Sequence, residues 1–366
     1  MALIALDARK YFDFGIGTYI QGLVAGYMKF QSRHKFLLYV ADEDVDRIPV
    51  PDTFEVVPVP YKKYSLSEIF MFGHRIRHSS ADIVHIPHYT LPARVGKPTV
   101  VTIHDLIHLR FPEYFNVVQR AYSRGMISYA LRRANVIITD SEFTRRDLLM
   151  QFRANEEKIV VVHLGVDGGY KPVTDSQCLQ EFRSRFSLDR PYILFVGNPK
   201  PHKGIDTLLS AFSIVRSSMK DIDLVLIGGA LSTDEGILRL ADDERLRGFV
   251  KVLGKVSEKD LLFAYNAASV FVLPSRYEGF GLPALEAMAC GTPVVVSNAG
   301  SLPEILGDAA SFFETGNEKM LADSILTVLR DSATASDLRE RGKANALRFR
   351  WETAAHKTIK IYESLL

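Results

Sequence analysis

Residues 276–295 read RYEGFGLPALEAMACGTPVV, and they hold the most informative pattern in the chain. An apolar run precedes the segment (270–275) and another ends it (293–298), as expected of two buried parallel strands joined by a helix. Pro283 suits the first position of that helix, and Gly291 suits the left-handed residue just past its end. The loop EGFG therefore brings backbone N–H groups to a helix N-terminus beyond a strand, where open α/β sheets bind anions such as a diphosphate.

Two glutamates flank this glycine-rich turn. Glu286, about one turn into the helix, can accept hydrogen bonds from a vicinal diol such as a ribose, and Glu278 on the loop can do the same for a hexose. Gly279 and Gly281 would allow close approach of the backbone to a ligand. The alternative is a solvated helix with two ordinary surface glutamates, which the surrounding phosphate-type loop makes the weaker interpretation.

Short apolar runs alternate with longer amphipathic stretches over most of the chain. Most of these runs are continuously apolar, as in parallel strands covered by helices on both faces. They predict two α/β units built from βαβ crossovers, with a linker near the start of 167–190. The predicted strands are 2–8, 35–40, 54–60, 82–88, 98–105, 135–141 and 158–166 in the first half and 192–198, 223–229, 250–255, 270–275 and 293–298 in the second.

Composition narrows the class of protein. The chain has 366 residues, 47% of them apolar, which suggests two domains of ordinary size. With 45 basic and 43 acidic residues the net charge is +2, so nothing global favours nucleic-acid binding. Only Cys178 and Cys290 are present, which argues against a disulfide framework or a cysteine metal cluster and favours a reducing, cytoplasmic setting.

A second basic loop also follows a predicted strand. Residues 192–209, YILFVGNPKPHKGIDTLL, read as a strand, a loop with Lys200, His202 and Lys203, and a helix. Cations placed before a helix N-terminus suit a pyrophosphate. The alternative is a hairpin-like loop with solvated lysines, which the neighbouring glutamate pattern disfavours.

In the first half, the segment 100–115 begins with a predicted buried strand that ends in His104 and Asp105. A histidine at that position can orient a sugar hydroxyl or handle a proton near neutrality, although a structural role is common. A second glycine loop is predicted at 12–20, FDFGIGTYI, with Gly15 and Gly17. Ile20 replaces the third glycine of a dinucleotide fingerprint, which disfavours an NAD oxidoreductase.

Charged loops offer two further candidate sites. Asp7, Arg9 and Asp13 could touch an acceptor, but solvated loop charges explain them equally well. The segment DEDVD (42–46) could mimic a metal-binding D-x-D pattern, but an acidic surface loop is the favoured interpretation, and we expect activity to survive EDTA.

The start, MALIALDARKYFDFG, has no signal-peptide pattern, and no apolar run in the chain approaches the length of a membrane span. Direct membrane insertion is therefore disfavoured, and surface attachment stays open.

The segment EGFGLPALEAMACGTPVV resembles the E-x7-E motif of retaining GT-B glycosyltransferases (glycosyltransferase family 4, group 1). TIHDLIHLRFPEYF together with GNPKPHKG is most similar to the bacterial mannosyltransferases of polysaccharide assembly. The resemblance implies an α/β GT-B fold with two Rossmann-like domains facing across a cleft. The expected domains are an N-terminal acceptor-side domain at 1–167, to which a C-terminal helix at about 350–366 returns, and a nucleotide-sugar-binding domain at 168–349.

The resemblance also implies roles for individual residues. His104, Asp105, Lys203 and Glu278 match positions that the family uses at the reaction centre. Asn198 stands where the family usually has an arginine, so His202 or Lys200 would supply that charge. The donor-binding set is Gly15, Gly17, Asn198, His202, Lys203, Gly254, Val256, Glu278, Gly279, Phe280, Gly281, Leu282 and Glu286. No metal or other cofactor is expected.

The implied reaction is retaining, metal-independent transfer of a hexose, with mannose from GDP-mannose favoured, to a glycan or lipid-linked glycan. Alternatives are a UDP-sugar donor, a GT-B epimerase or hydrolase, and an inactive nucleotide-sugar-binding protein. The helical segment 117–134 carries Arg120 and Arg124 on one face, which could contact anionic lipid or simply face solvent. The expected location is cytoplasmic, with a peripheral contact on the inner face of the membrane left open.

Overall fold

The computed structural model describes residues 1–30, 33–60 and 68–366. The chain divides into two compact units: unit 1 contains Met1–Gly165 and Arg350–Leu366, and unit 2 contains Val166–Phe349. The expected first boundary, after residue 167, thus lies slightly beyond the observed one. Each unit is a parallel β-sheet with helices, which confirms the predicted α/β class with two Rossmann-like domains.

Within the described residues, the sheet of unit 1 has seven parallel strands in the order β3-β2-β1-β4-β5-β6-β7. The strands are β1 (Leu3–Asp7), β2 (Lys35–Ala41), β3 (Phe54–Val59), β4 (Ile83–Ile86), β5 (Thr99–Ile103), β6 (Val136–Thr139) and β7 (Ile159–Val161). The helices of its N-terminal part are α1 (Phe14–Lys29), α2 (Gly73–Arg77), α3 (Ile107–Arg110), α4 (Val117–Arg133) and α5 (Glu142–Gln151).

The sheet of unit 2 has six strands in the order β10-β9-β8-β11-β12-β13, again all parallel. Its strands are β8 (Tyr192–Val196), β9 (Asp223–Ile227), β10 (Val250–Gly254), β11 (Val270–Leu273), β12 (Val294–Ser297) and β13 (Ser311–Phe313). Its helices are α6 (Ser176–Arg185), α7 (Ile205–Ser218), α8 (Glu235–Ala241), α9 (Glu258–Ala267), α10 (Leu282–Ala289), α11 (Leu302–Leu306), α12 (Glu318–Arg330) and α13 (Ser332–Ala346).

The last helix, α14 (Trp351–Glu363), belongs to unit 1 and packs on α1. Two glycines of α1 make the close approach possible. A Cβ atom at Gly22 would lie 2.1 Å from the Trp351 ring, and one at Gly26 would lie 2.6 Å from Ala355 Cβ. Because helix axes can come this near only where one partner lacks a side chain, these glycines determine where Trp351 is buried.

The predicted strands correspond to observed strands, usually with one or two residues trimmed at the ends. The prediction 158–166 was too long, because the strand there ends at Val161. The short edge strand β13 was not predicted, since SFF is only three residues long and its partly exposed side chains give little pattern. Helix α10 begins at Leu282, so Pro283 occupies its second position, one residue later than predicted. Among the described residues, no helix is both long and apolar enough to cross a membrane.

Candidate functional site

The polar site of unit 2 lies where the strand order reverses, between β8 and β11. The crevice beyond the carboxyl ends of two such strands is the usual ligand site of an open α/β sheet. The loop after β8 and the loop after β11 are tied together by Arg276. Its backbone N–H donates to His202 O (2.6 Å), its Nη1 donates to Pro201 O (3.1 Å), and its guanidinium pairs with Asp206. The two predicted phosphate-type loops therefore form one continuous surface.

Lys203 and Glu278, predicted from separate motifs, are in direct contact. Lys203 Nζ lies 2.7 Å from Glu278 Oε1, and Ser275 Oγ donates to the same oxygen at 2.6 Å. The backbone of Glu278 is held as well, because its carbonyl accepts hydrogen bonds from Ser301 N and Ser301 Oγ at 3.1 Å. Both described side-chain bonds converge on Oε1, which leaves Oε2, among the described residues, for hydroxyl donors.

Two glycines at this site adopt the left-handed conformation that side chains disfavour. Gly204 (φ 67°) caps the start of α7, and Gly281 (φ 92°) caps the start of α10. A Cβ atom at Gly204 would lie 2.1 Å from Pro274 O, and one at Gly281 would lie 2.5 Å from Leu302 Cδ2. Both loops can thus turn directly into helices whose N-terminal dipoles favour an anion.

Glu286 is half-buried in the first turns of α10 and accepts a hydrogen bond from Tyr265 Oη at 2.7 Å. Burial raises the pKa of Glu286 to about 7, against the lowering effect of the Tyr265 hydrogen bond, and the negative charge of Asp167 adds to the rise. The carboxyl is therefore partly protonated near neutrality. Tyr265 itself is fully buried, so it fixes the direction of the carboxyl.

The remaining predicted donor-binding residues of unit 2 are placed unequally. Asn198 lies in the turn after β8, where its carbonyl accepts from Lys200 N at 2.8 Å, and His202 is buried, whereas Lys200 is exposed. Phe280 packs against Phe349 with 4% of its surface exposed, so the backbone is the part of it that a ligand can reach. Gly254 (φ 65°) ends β10, and Val256, Gly279 and Leu282 are half-buried in the loops and at the start of α10.

In unit 1, His104 comes directly after β5 and Asp140 directly after the neighbouring β6, with Ile103 and Thr139 in register. His104 Nδ1 lies 2.6 Å from Asp140 Oδ2, and His104 Nε2 lies 3.1 Å from Pro87 O. Burial by itself would lower the pKa of His104, but the charge and hydrogen bond of Asp140 outweigh it and raise that pKa. The ring of Tyr19 packs edge-on against the imidazole at 4.8 Å.

The other predicted residues of unit 1 have more local roles. Asp105 Oδ1 accepts from Ile107 N at 3.0 Å and so shapes the start of α3. Gly15 and Gly17 do not lie in a loop as predicted but in the first turn of α1. A Cβ atom at Gly17 would lie 2.5 Å from Tyr11 O, so this glycine lets the preceding loop fold back on the helix. Helix formation extends this far because the buried face of α1 packs on the core and on α14.

The interpretation of Asp7 and Arg9 as solvated loop charges is wrong. Arg9 Nε donates to Asp7 Oδ1 at 2.8 Å and Nη2 donates to Asp7 Oδ2 at 2.6 Å, a bidentate pair in which the Arg9 side chain is 2% exposed. The guanidinium also lies 3.9 Å from the centre of the Phe72 ring. A buried arginine needs such a partner because an isolated buried charge is costly.

The acidic segment 42–46 forms part of a 3-10 helix at Asp42–Arg47. Asp44 is buried there and its Oδ1 accepts from Arg47 Nη1 at 2.6 Å. Within the described ranges, no group of three or more histidine, cysteine, aspartate or glutamate side chains is arranged to hold a metal ion.

Sequence reasoning did not single out four side chains that shape these sites: Tyr19, Asp140, Tyr265 and Ser275. Asp140 left a usable signal, since it lies near the end of the predicted strand 135–141, which comes next along the chain after the strand that ends in His104 and Asp105. Residues that follow adjacent parallel strands lie at the same sheet edge. Tyr265 gave no local signal, because it meets Glu286, 21 positions away, only through tertiary packing, whereas Ser275 lies three positions before Glu278 in the same loop.

Comparisons with known proteins identify the family of this chain. Residues 15–168 match the family described as Glycosyltransferase Family 4, and residues 178–345 match Glycosyl transferases group 1. The O-antigen chain mannosyltransferase B of Escherichia coli is 34% identical over 77% of this chain and 74% of its own length. The Serotype-specific mannosyltransferase WbdA of Escherichia coli is 27% identical over 79% of this chain but only 36% of its own length.

Solved structures share the fold at lower identity. Sucrose-phosphate synthase from Thermosynechococcus elongatus has a TM-score of 0.81 and 23% identity, covering 100% of this chain and 99% of that one. Anabaena Alr3699/HepE in complex with UDP-glucose has a TM-score of 0.81 and 18% identity, covering 100% of both chains. With the two family matches and the mannosyltransferase relative, these findings establish that the chain is a GT-B glycosyltransferase with a Glycosyltransferase Family 4 domain followed by a group 1 domain.

Proposed function

We propose that this chain transfers mannose from GDP-mannose to a glycan of polysaccharide assembly, with retention of anomeric configuration and without a metal ion. The observation that carries the proposal is the Lys203–Glu278 pair at the start of α7 and α10. It joins one cation for a diphosphate to one carboxylate for sugar hydroxyls. The names of the two Escherichia coli relatives support mannose as the sugar.

Glu278 and Lys203 would exchange partners when the donor binds. The sugar hydroxyls would donate to Glu278, in the place that Lys203 Nζ now takes, and the ammonium group would turn to the diphosphate oxygens. Bonds between ionised groups contribute about 1.5 to 3 kcal/mol each, so the diphosphate can compensate Lys203 for the lost carboxylate contact. Glu286 would accept from the two ribose hydroxyls, with Tyr265 fixing its orientation.

The proposed chemistry is a front-face substitution. The bond from the anomeric carbon to the diphosphate oxygen breaks, the acceptor oxygen forms its bond on the same face, and the leaving diphosphate takes the acceptor's proton. Negative charge then grows on the diphosphate, where Lys203 and the helix N-termini would stabilise it. No carboxylate nucleophile is required, because Glu278 and Glu286 are both committed to hydroxyl groups in this scheme.

We extend the proposal to a lipid-linked acceptor and a peripheral membrane contact through α4. The first residues of that helix, Val117 and Val118, expose 69% and 77% of their surface. Arg120 and Arg124 follow on the same helix, and the guanidinium of Arg124 lies 5.4 Å from the Phe152 ring centre. Exposed aliphatic side chains beside arginines suit the interface of an anionic bilayer.

Isothermal titration with GDP, UDP and ADP tests the donor assignment. We expect GDP to bind, Glu286→Ala to abolish most of that binding, and EDTA to leave it unchanged. Glu244→Ala is the matched control, because Glu244 is an exposed glutamate of the same unit. Preferential binding of UDP would move the proposal to UDP-hexose donors, and binding of none of the three nucleotides would overturn it.

A second assay tests the reaction itself. Incubation with GDP-mannose and a panel of glycan acceptors should release GDP only when an acceptor is present, and NMR of the product should report the same anomeric configuration as the donor. Turnover without an acceptor would instead indicate a hydrolase or an epimerase. Binding of GDP-mannose with no turnover under any condition would indicate a nucleotide-sugar-binding protein.

A further inference from the structure

Both ring nitrogens of His104 face hydrogen-bond acceptors. Nδ1 lies 2.6 Å from a carboxylate oxygen of Asp140, and Nε2 lies 3.1 Å from the carbonyl oxygen of Pro87. A neutral imidazole has one N–H donor and one lone pair. If no proton lay between a ring nitrogen and its oxygen partner, the two lone pairs would point at each other. The geometry therefore requires one proton in each of the two contacts.

The surroundings of Asp140 lead to the same conclusion. Asp140 is 2% exposed, and its second oxygen, Oδ1, is buried and has no hydrogen-bond partner among the described residues. A buried carboxylate without a counter-charge costs several kcal/mol. The His104 ring is therefore the group that compensates it. Because imidazole ordinarily holds its proton about 2.6 pKa units more tightly than a carboxyl group, the shared proton lies on the ring.

Among the described residues, the groups that act directly on the pKa of His104 include no positive charge, and the buried Lys10 acts on the neighbouring His88 instead. His85 is buried, which lowers its pKa to about 3, and burial also lowers the pKa of His88. Tyr19 is held neutral by burial. Asp105 adds a second negative charge beside the ring and acts in the same direction as Asp140.

Asp140 is rigidly placed. It sits between β6 and α5, and the next residue, Ser141, caps α5 by accepting from Thr144 N at 3.1 Å. Thr144 Oγ1 in turn donates to the backbone carbonyl of His104 at 3.2 Å. Strand β6 and helix α5 therefore fix the distance between Asp140 and His104 from both ends.

We infer that Asp140 is a positioning residue that keeps His104 doubly protonated, so that His104 meets a substrate as a charged hydrogen-bond donor and not as a proton acceptor. The His104 side chain is 17% exposed, so its Nε2–H can leave Pro87 O for an oxygen of the sugar. This inference rests on the proposed function for its substrate. It excludes His104 as the general base that deprotonates the acceptor.

The first arm of the test measures protonation without any substrate. In protein labelled with ¹⁵N-histidine, the two ring nitrogens of His104, assigned with the His104→Gln variant, should give mainly the imidazolium signature at a pH just above the ordinary histidine pKa of about 6.5. In Asp140→Asn the same ring should be neutral at that pH. A neutral ring in the unsubstituted protein at that pH overturns the inference, whatever the enzyme's activity.

The second arm measures transfer. Asp140→Asn should lower kcat about tenfold, as expected when one hydrogen bond to the substrate loses its charge, while the Kd for GDP, which lacks the sugar, stays unchanged. Asp140→Glu should restore part of kcat. Asp223→Asn is the control for losing a buried ion pair, because Asp223 pairs with Arg190 Nη1 at 2.8 Å in unit 2.

The two arms separate the two proposals. An imidazolium signature in a protein that transfers no sugar would refute the proposed function and leave the protonation of His104 established. Transfer that Asp140→Asn does not slow, or slows only as much as Asp223→Asn does, would overturn the positioning role even if the ring is an imidazolium. Loss of fold in Asp140→Asn, seen by circular dichroism, leaves the spectrum of the unsubstituted protein as the deciding measurement.

Discussion

Removing the hydroxyl of Tyr265 should shift the pH dependence of nucleotide binding. Glu286 has a pKa of about 7 because burial raises it, and the hydrogen bond from Tyr265 Oη at 2.7 Å opposes that rise by favouring the ionised form. A hydrogen bond to an ionised group contributes about 1.5 to 3 kcal/mol, which corresponds to about 1 to 2 pKa units. In Tyr265→Phe we therefore expect the carboxyl to titrate at about pH 8 to 9.

This shift sets the size of the effect on affinity. In the proposed site, a ribose diol would donate both hydroxyls to an ionised Glu286, so affinity should follow the ionised fraction. That fraction is about one half at pH 7 in the unsubstituted protein, given a pKa of about 7. It falls to about 10% or 1% when the pKa rises by 1 or 2 units, so GDP should bind about 5-fold to 50-fold more weakly at that pH.

The assay is isothermal titration of GDP from about pH 5.5 to pH 9. In the unsubstituted protein, affinity for GDP should rise with pH through a midpoint near 7, and in Tyr265→Phe this midpoint should lie at a higher pH. In Glu286→Gln this rise should be absent, and the pH dependence that remains reports the titration of GDP itself. Tyr192→Phe is the matched control, because its buried hydroxyl donates at 2.7 Å to a backbone carbonyl, that of Ala264. Identical midpoints for Tyr265→Phe and the unsubstituted protein would refute the reasoning.

Four further predictions concern packing, the donor site, metal dependence and the membrane. Gly22→Ala should destabilise the protein by about 1 to 3 kcal/mol, because the new Cβ atom would overlap the Trp351 ring. Gly125→Ala is the control: its Cβ atom would lie in open space on α4, so this variant should be neutral or stabilising. Thermal melts in which Gly125→Ala is the less stable variant would contradict the packing argument. Lys203→Met should weaken GDP binding. Glu278→Gln should leave GDP binding nearly intact and lower kcat for transfer, because in the proposed scheme only the sugar needs Glu278. Equal losses of GDP affinity in the two variants would count against these roles. EDTA should leave transfer unchanged, and recovery of a lost activity by added Mg²⁺ or Mn²⁺ would show that a metal is required. The Arg120→Gln/Arg124→Gln variant should bind vesicles containing anionic lipid less well than the unsubstituted protein does. Neutral vesicles and the Arg239→Gln variant in unit 2 are the controls. If the double variant sediments with anionic vesicles as well as the unsubstituted protein does, the proposed membrane contact through α4 is wrong.

Folding stability should also depend on pH through Glu286. Its folded pKa of about 7 lies above its ordinary value of 4.5, so the folded state holds a proton that the unfolded state releases between these two values. The free energy of unfolding should therefore fall as pH rises from about 4.5 to about 7 and become flat above it. Glu286→Gln, which cannot ionise, should remove this component from a series of denaturant titrations.

The amino-acid sequence by itself determined the class of fold and the positions of the two phosphate-type loops. Continuous runs such as VFVL and VVVS predict buried parallel strands covered on both faces, and a glycine-rich turn after such a strand falls at the carboxyl edge of the sheet. The left-handed conformation predicted for Gly291 follows from the same local chemistry and is observed, with φ 78°. These features depend on neighbours within a few residues, which is why the sequence reveals them.

Tertiary structure alone decided which side chains meet. The contacts Lys203 to Glu278 and Glu286 to Tyr265 join residues 75 and 21 positions apart, and no local pattern encodes them. The same holds for the burial of the Asp7–Arg9 pair and for Gly15 and Gly17, which the packing of α1 draws into a helix. Protonation is decided at this level too, because the pKa values of His104 and Glu286 depend on burial and on a carboxylate or hydroxyl that another strand or helix brings into contact.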